Sequence, residues 1–280
     1  MSVRIILDSS ADTAAEIKNR FEFVSLPIFF GDEKFIDGVN ITHAEFYDRL
    51  KNSEQLPKTS QATPYDYAEV YKKVIGEGDD AVVLTISKKL SGTYQSAVIA
   101  AEDYKGRVFV VDSDTVTIGA GVLAEYALSL ADSGMSAEAV AAELESAKKR
   151  VRLIAMVDTL EYLKKGGRIS KTVAFAGELL SFKPVISVEE GEIKLLGKAR
   201  GAKNGNNLLE QEIKKAGGVD FGRPVLLGYS GTDSTMLRRY IDDFSTLWAG
   251  HVELNIAEIG SVVGTHAGPG AIAAAFFANN

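Results

Sequence analysis

Short apolar runs alternate with amphipathic stretches through the first half of the chain. Residues 3–7, 23–28, 81–86 and 108–111 are such runs, and their pattern predicts buried strands. Helical periodicity fills the gaps between them. Thr42 and Glu45 stand at capping-box spacing and predict a helix start. Thr63 followed by Pro64 puts an N-cap before a proline at the first helical position, and predicts a helix to about Glu77. Residues 93–104 and 119–131 continue the helical series. This alternation predicts a mostly parallel sheet covered on both faces. Gly31-Asp32, inside an apolar pair, predicts one small hairpin.

The second half has another rhythm. Residues 184–189 and 192–199 flank Glu190-Gly191, a hairpin signal. Residues 152–157, 224–229 and 252–259 predict further strands. Residues 208–216, 234–248 and 269 to the end predict helices. Hairpin pairing of this kind predicts an α+β domain with a largely antiparallel sheet. The helical stretch 120–150, broken at Ser133-Gly134, bridges the halves. The expected architecture is α/β in two domains: an N-terminal α/β domain over 1–150 and a C-terminal α+β domain over 151–280.

Composition narrows the function classes. A chain of 280 residues, 46% hydrophobic, can build a sizeable core without staples. The absence of Cys excludes disulfides, a thiol nucleophile and thiolate metal sites. With 31 Lys+Arg against 38 Asp+Glu, the net charge of −7 argues against a nucleic-acid partner. No run approaches the ~20 apolar residues of a membrane helix. The N-terminus reads as a strand and then an acid rather than a signal peptide, so the expected location is cytoplasmic.

Several motifs carry candidate chemistry. Asp8-Ser9-Ser10-Ala11-Asp12 follows the first strand, where loops of a parallel sheet line a ligand crevice. Asp8, Ser9 and Ser10 suit that role, or that of caps for the next helix. Pro57-Lys58-Thr59-Ser60-Gln61 and Leu90-Ser91-Gly92-Thr93 each put hydroxyls before a helix N-terminus, an arrangement suited to an anion or to an ordinary turn. Arg168, after Gly166-Gly167, suits a phosphate, a protein partner or a solvated helix end. His266, with Thr265, lies in the glycine-dense stretch 260–270, read as a helix start near a cleft. The three His lack metal-ligand spacing, so no metal is expected. No Walker-type loop occurs. Gly119-Ala120-Gly121 reads as close helix packing rather than a dinucleotide site.

Asp8–Asp12, Pro57–Gln61, Leu90–Ala97, Asp158–Ser170, Lys183-Pro184 and Gly264–Gly270 together resemble the DegV family of bacterial lipid-binding proteins, in order and over nearly the whole chain. The resemblance implies two α/β domains with one long-chain fatty acid in the cleft between them and no other cofactor. It implies a non-enzymatic carrier, the binding subunit of a fatty-acid kinase. A separate catalytic subunit would phosphorylate the bound carboxylate for phospholipid synthesis, and the carrier would touch the membrane transiently. By that resemblance Thr59 and Ser91 hold the carboxylate, Ser60 and Gly92 assist, and His266 sits near the head group. Arg168 and Arg200 match positions on the kinase-facing side. Two rival readings remain at this level. One is a stand-alone acyl hydrolase or transferase using Ser91 with His266, which requires a base within reach of the Ser91 hydroxyl. The other is a sensor of a small carboxylate, which requires a short polar pocket.

Overall fold

The computed structural model describes residues 2–169, 182–248 and 255–279. In chain order the strands are β1 (Val3–Asp8), β2 (Glu22–Val24), β3 (Pro27–Phe30), β4 (Glu33–Ile36), β5 (Lys58–Thr59), β6 (Asp80–Thr85) and β7 (Val108–Asp112). There follow β8 (Val151–Met156), β9 (Phe182–Glu189), β10 (Glu192–Arg200), β11 (Val225–Tyr229), β12 (Asn255–Glu258) and β13 (Ile272–Phe277). The helices are α1 (His43–Asn52), α2 (Pro64–Gly76), α3 (Thr93–Ala101), α4 (Ile118–Asp132) and α5 (Ala137–Ala147). After them come α6 (Glu161–Lys165), α7 (Gly201–Lys215), α8 (Thr235–Asp243), α9 (Ser245–Trp248) and α10 (Ser261–Ala267).

Strands β2-β1-β6-β7 form a wholly parallel sheet, as the strand–helix alternation requires. Strands β4-β3-β5 form a small antiparallel sheet around the Gly31-Asp32 turn. The six strands β10-β9-β8-β13-β11-β12 form the third, antiparallel except between β11 and β12. Both expected N-caps are present: Thr42 with Glu45, and Thr63 with Asp66, each form a capping box.

Helix α4 is the layer shared by the two large sheets. It packs on β1 and β6 from one side and on β8, β11 and β13 from the other. One core therefore runs from Ile5, Leu7, Val82 and Leu84 through Val122 and Leu123 to Leu153, Leu226 and Ala275. Gly121 makes the close approach feasible, since a Cβ there would lie 2.1 Å from the Asp12 carbonyl oxygen. Helices α2 and α3 cover the outer face of the parallel sheet, and α7 and α8 that of the antiparallel one.

Three sequence expectations are corrected. Residues 269 to the end do not form a helix: the alanine-rich run is β13, fully buried between β8 and β11. A short continuous apolar run suits a central strand as well as a buried helix, and only the partners decide. Residues 23–28 are not one strand but parts of β2 and β3, which lie in different sheets and meet at a bend before Pro27. Residues 234–248 form two helices, interrupted at Phe244. The expected strand start at residues 252–254 and the expected cap Ser170 lie outside the described residues. Among the described residues no helix is long and apolar enough to cross a membrane.

Candidate functional site

A cavity of about 880 Å³, counting its open mouth, lies between the antiparallel sheet and the loops that follow strands of the parallel sheet. Its walls stand close together, so the space is narrow. Its walls are mainly aliphatic. Leu26, Ile86, Leu90 and Val116 come from the N-terminal half, while β8, β9 and β10 add Leu153, Ala155, Ile186, Val188 and Ile193. Ile259 and, from α10, Val262 and Val263 complete the wall. Inward-facing residues of strands alternate with outward ones, which is why neighbouring chain positions do not all appear in the lining.

The polar lining is concentrated in Thr59, Ser60, Ser91, Arg168 and His266, drawn from four separate segments. Thr59 is held by β5, paired to Ile28 of β3, and the Ser60 amide donates to the Pro27 carbonyl at 3.1 Å. The Thr59 hydroxyl lies 2.9 Å from His266 Nε2. Ser91 sits in the turn that opens α3; its Oγ is 2.9 Å from the Thr93 hydroxyl and accepts from the Thr93 amide at 3.3 Å. Arg168, half-buried, donates to the carbonyls of Leu90 at 3.3 Å and Gly166 at 2.6 Å, which ties its guanidinium to the Ser91 turn. Thr117 and Ser187 also line the cavity, but their hydroxyl protons go to Asp12 and Glu189 at 2.5 and 2.7 Å.

His266 is the least solvated titratable group at this polar cluster. Burial, with the Arg168 charge beside it, lowers its pKa to about 4, so the imidazole is neutral at pH 7. Its Nδ1 is buried without a hydrogen-bond partner. Gly166 leaves it the space: a Cβ there would lie 2.2 Å from Nδ1. Gly166→Ala is therefore expected to push the ring out of its niche and raise its pKa toward the ordinary value of about 6.5, read by NMR titration of the imidazole. Since the native value lies below the unfolded one, the wild type loses stability as pH falls from about 6.5 to about 4. The variant should lose less over that range; an unchanged His266 titration would refute the steric argument.

Several sequence candidates have other duties. Asp8 is fully buried and accepts from the Ser10 hydroxyl and amide and, at 2.7 Å, from the Ile86 amide. Burial pushes its carboxyl above the usual range, and those donors partly offset the shift. Ser9 accepts from the Leu26 amide at 3.0 Å. Neither residue lines the cavity; both fix the loop behind its wall. Thr93 is buried behind Ser91, and Thr265 bonds back to the Ser261 carbonyl at 3.0 Å within α10. Gly92 is the N-cap of α3, packed against the Gln61 amide outside the lining. Arg200 is exposed at the start of α7 and is not among the cavity residues, whereas Arg168 is a cavity residue rather than a solvated helix end. His266 lies in the last turn of α10, not at a helix start. Among the described residues no group of three His, Asp or Glu could hold a metal.

Asp12 had no assigned role in the sequence, yet it joins three segments. It accepts from the Gly260 amide at 3.0 Å and from the Thr117 hydroxyl. Burial raises its pKa to about 7. Thr117 adopts φ +50°, a conformation that a β-branched residue rarely takes. No sequence signal marks that residue, because its backbone is dictated by the loop it closes.

The geometry bears on the two rival readings. Ser91 and His266 line the same cavity but take different partners, Thr93 and Thr59, so among the described residues no base is hydrogen-bonded to the Ser91 hydroxyl. The lining is mainly aliphatic rather than polar. Comparison with known proteins agrees in fold and family. The DegV family model matches residues 2–279. The chain belongs to the DegV family. A Thermus thermophilus DegV family protein described for its fatty acid binding is 32% identical, with a TM-score of 0.87 over 99% of this chain and 100% of that one. A stearic acid-binding protein from Eubacterium ventriosum is 30% identical, with a TM-score of 0.86 over 98% of both chains. The Fatty Acid Kinase (Fak) B3 protein of Streptococcus pneumoniae, loaded with linoleic acid, shares the fold at 24% identity, with a TM-score of 0.85 over the full length of both. The DegV resemblance drawn from six short motifs thus extends over the whole chain.

Proposed function

We propose that this DegV protein binds one long-chain fatty acid, its acyl chain in the cavity and its carboxylate at Thr59, Ser60, Ser91 and His266. The observation that carries this reading is a narrow aliphatic cavity in which the hydroxyls not bound to a carboxylate gather in one cluster. Each buried methylene contributes ~0.8 kcal/mol, so about 16 carbons contribute on the order of 10 kcal/mol before association costs. The head group then needs only modest affinity, which neutral hydroxyl donors supply.

His266 sets the direction of one of those donors. A threonine hydroxyl has one proton. If that proton goes to the ligand carboxylate, His266 Nε2–H must donate to Thr59, and a neutral imidazole protonated on Nε2 does so. Nδ1 then carries the lone pair, consistent with its lack of a hydrogen-bond acceptor.

The finer reading follows from the family resemblance. The protein acts as a non-enzymatic carrier in the cytoplasm, offers the carboxylate to a separate kinase subunit for acyl-phosphate formation, and meets membranes transiently. Arg168 lies beside the head group, where it suits a phosphoryl group, and Arg200 marks a second basic position on an exposed helix start. Hydroxyl donors leave the carboxylate more nucleophilic than a charged clamp would.

Native mass spectrometry of freshly purified protein, with extraction and lipid identification, tests the binding reading. One long-chain fatty acid per chain is the expected result. A chain that stays empty after incubation with several fatty acids would overturn it. Ser91→Ala should lower acyl-phosphate formation with the kinase subunit about tenfold, the loss of one hydrogen bond to a charged group, with smaller loss of acyl-chain retention. Equal losses would remove any role for Ser91 in activation.

A further inference from the structure

The far end of the cavity is closed by a thin partition. Val157, Ala155 and Leu153 are two residues apart on and just beyond β8, so they share one face, and all three line the cavity. Val157 packs with Leu163 and Ile169, which flank Arg168, so it marks the polar end. Leu153 lies roughly 13 Å farther along, at ~3.3 Å per residue. The next residue on that face, Val151, lines a different space. That space is a wide charged groove of about 1560 Å³, open to solvent and containing Lys148, Lys194 and Glu190.

Leu153, Ser187 and Val188 line both the cavity and the groove. The β8–β9 register pairs Ile154 with Ser187 and Ala155 with Ile186. One step farther along it sets Val188 opposite Leu153. Both side chains are buried, and they stand between the aliphatic interior and the charged groove.

Resting on the fatty-acid reading, we propose that the cross-strand pair Leu153–Val188 is the stop against which the methyl end of the acyl chain abuts, and so sets the longest chain the protein accepts. A methyl end that passed this pair would enter a groove lined by charges, where burial gains nothing. Each added methylene should raise affinity about fourfold until the stop is reached, the equivalent of ~0.8 kcal/mol, and none beyond it.

The test measures binding of saturated fatty acids from dodecanoate to docosanoate by wild type, Leu153→Ala and Val188→Phe. Leu153→Ala removes the aliphatic end of that side chain and should move the plateau to chains longer by roughly three carbons. Val188→Phe should move it to shorter chains. Dodecanoate affinity close to wild type shows that each variant is folded with its head-group site intact. If Leu153→Ala fails to fold, Val188→Phe carries the test alone. A plateau at the wild-type length in a variant that binds dodecanoate normally overturns the assignment of the stop while leaving the fatty-acid reading in place. A wild type that binds no member of the series overturns both.

Discussion

Protein stripped of its fatty acid should melt about 10 °C below the loaded form. A ligand that binds only the native state stabilises it by RT ln(1 + [L]/Kd), about 4 kcal/mol at a thousandfold excess over Kd. Each kcal/mol shifts the midpoint of a chain this size by roughly 2–4 °C. The cavity lies where such coupling is strongest. Its wall is built from the antiparallel sheet, from loops that follow strands of the parallel sheet and from α10, and it interrupts the core shared through α4. An empty narrow space also forfeits the dispersion contacts of its aliphatic lining. Scanning fluorimetry before extraction, after it, and after re-addition of stearate measures the effect. Equal midpoints, with removal verified by mass spectrometry, would show that the ligand does not bridge the two halves.

Asp8→Ala should destabilise the protein by about 3–5 kcal/mol, a midpoint drop of roughly 10 °C or more. The Asp8 carboxylate is the acceptor for two backbone amides and one hydroxyl, all buried. Alanine leaves the Ile86 and Ser10 amides unpaired, at roughly 1–3 kcal/mol each. It also frees the end of β6 from the loop after β1, and Ile86 lines the cavity. Asp8→Asn keeps the shape and one acceptor oxygen, so it should lie between wild type and Asp8→Ala. Urea denaturation of ligand-free protein separates this effect from the loss of a binding group. If Asp8→Ala were as stable as wild type yet bound fatty acid poorly, Asp8 would belong to the head-group site after all.

The contrast between Asp8 and Ser91 shows what a motif by itself can say. Both follow a strand of the parallel sheet, and both suit a crevice loop by position. Ser91 lines the cavity, while Asp8 turns inward to satisfy the amide of a neighbouring strand 78 residues away. Arg168 shows the converse. On local sequence a solvated charge after two glycines is as good a reading as a phosphate or partner contact, but the chain folds its guanidinium back onto the Leu90 carbonyl.

The sequence by itself determined the features whose causes act over a few residues. The capping boxes at Thr42 and Thr63, the turn at Gly31-Asp32, the turn at Glu190-Gly191 and the parallel rhythm of the first half are of this kind. Caps and turns are local hydrogen bonds, and amphipathic period is a local count. The tertiary structure alone decided that residues 272–277 are a central strand, because both readings bury the same apolar atoms and only β8 and β11 supply hydrogen-bonding partners. It alone brought Thr59 within 2.9 Å of His266 across 207 positions of chain. It alone made Leu153 and Val188 a wall between an oily space and a charged one. A cavity has no sequence signature of its own. It is the volume left between packed elements, and its lining is chosen by how two sheets meet.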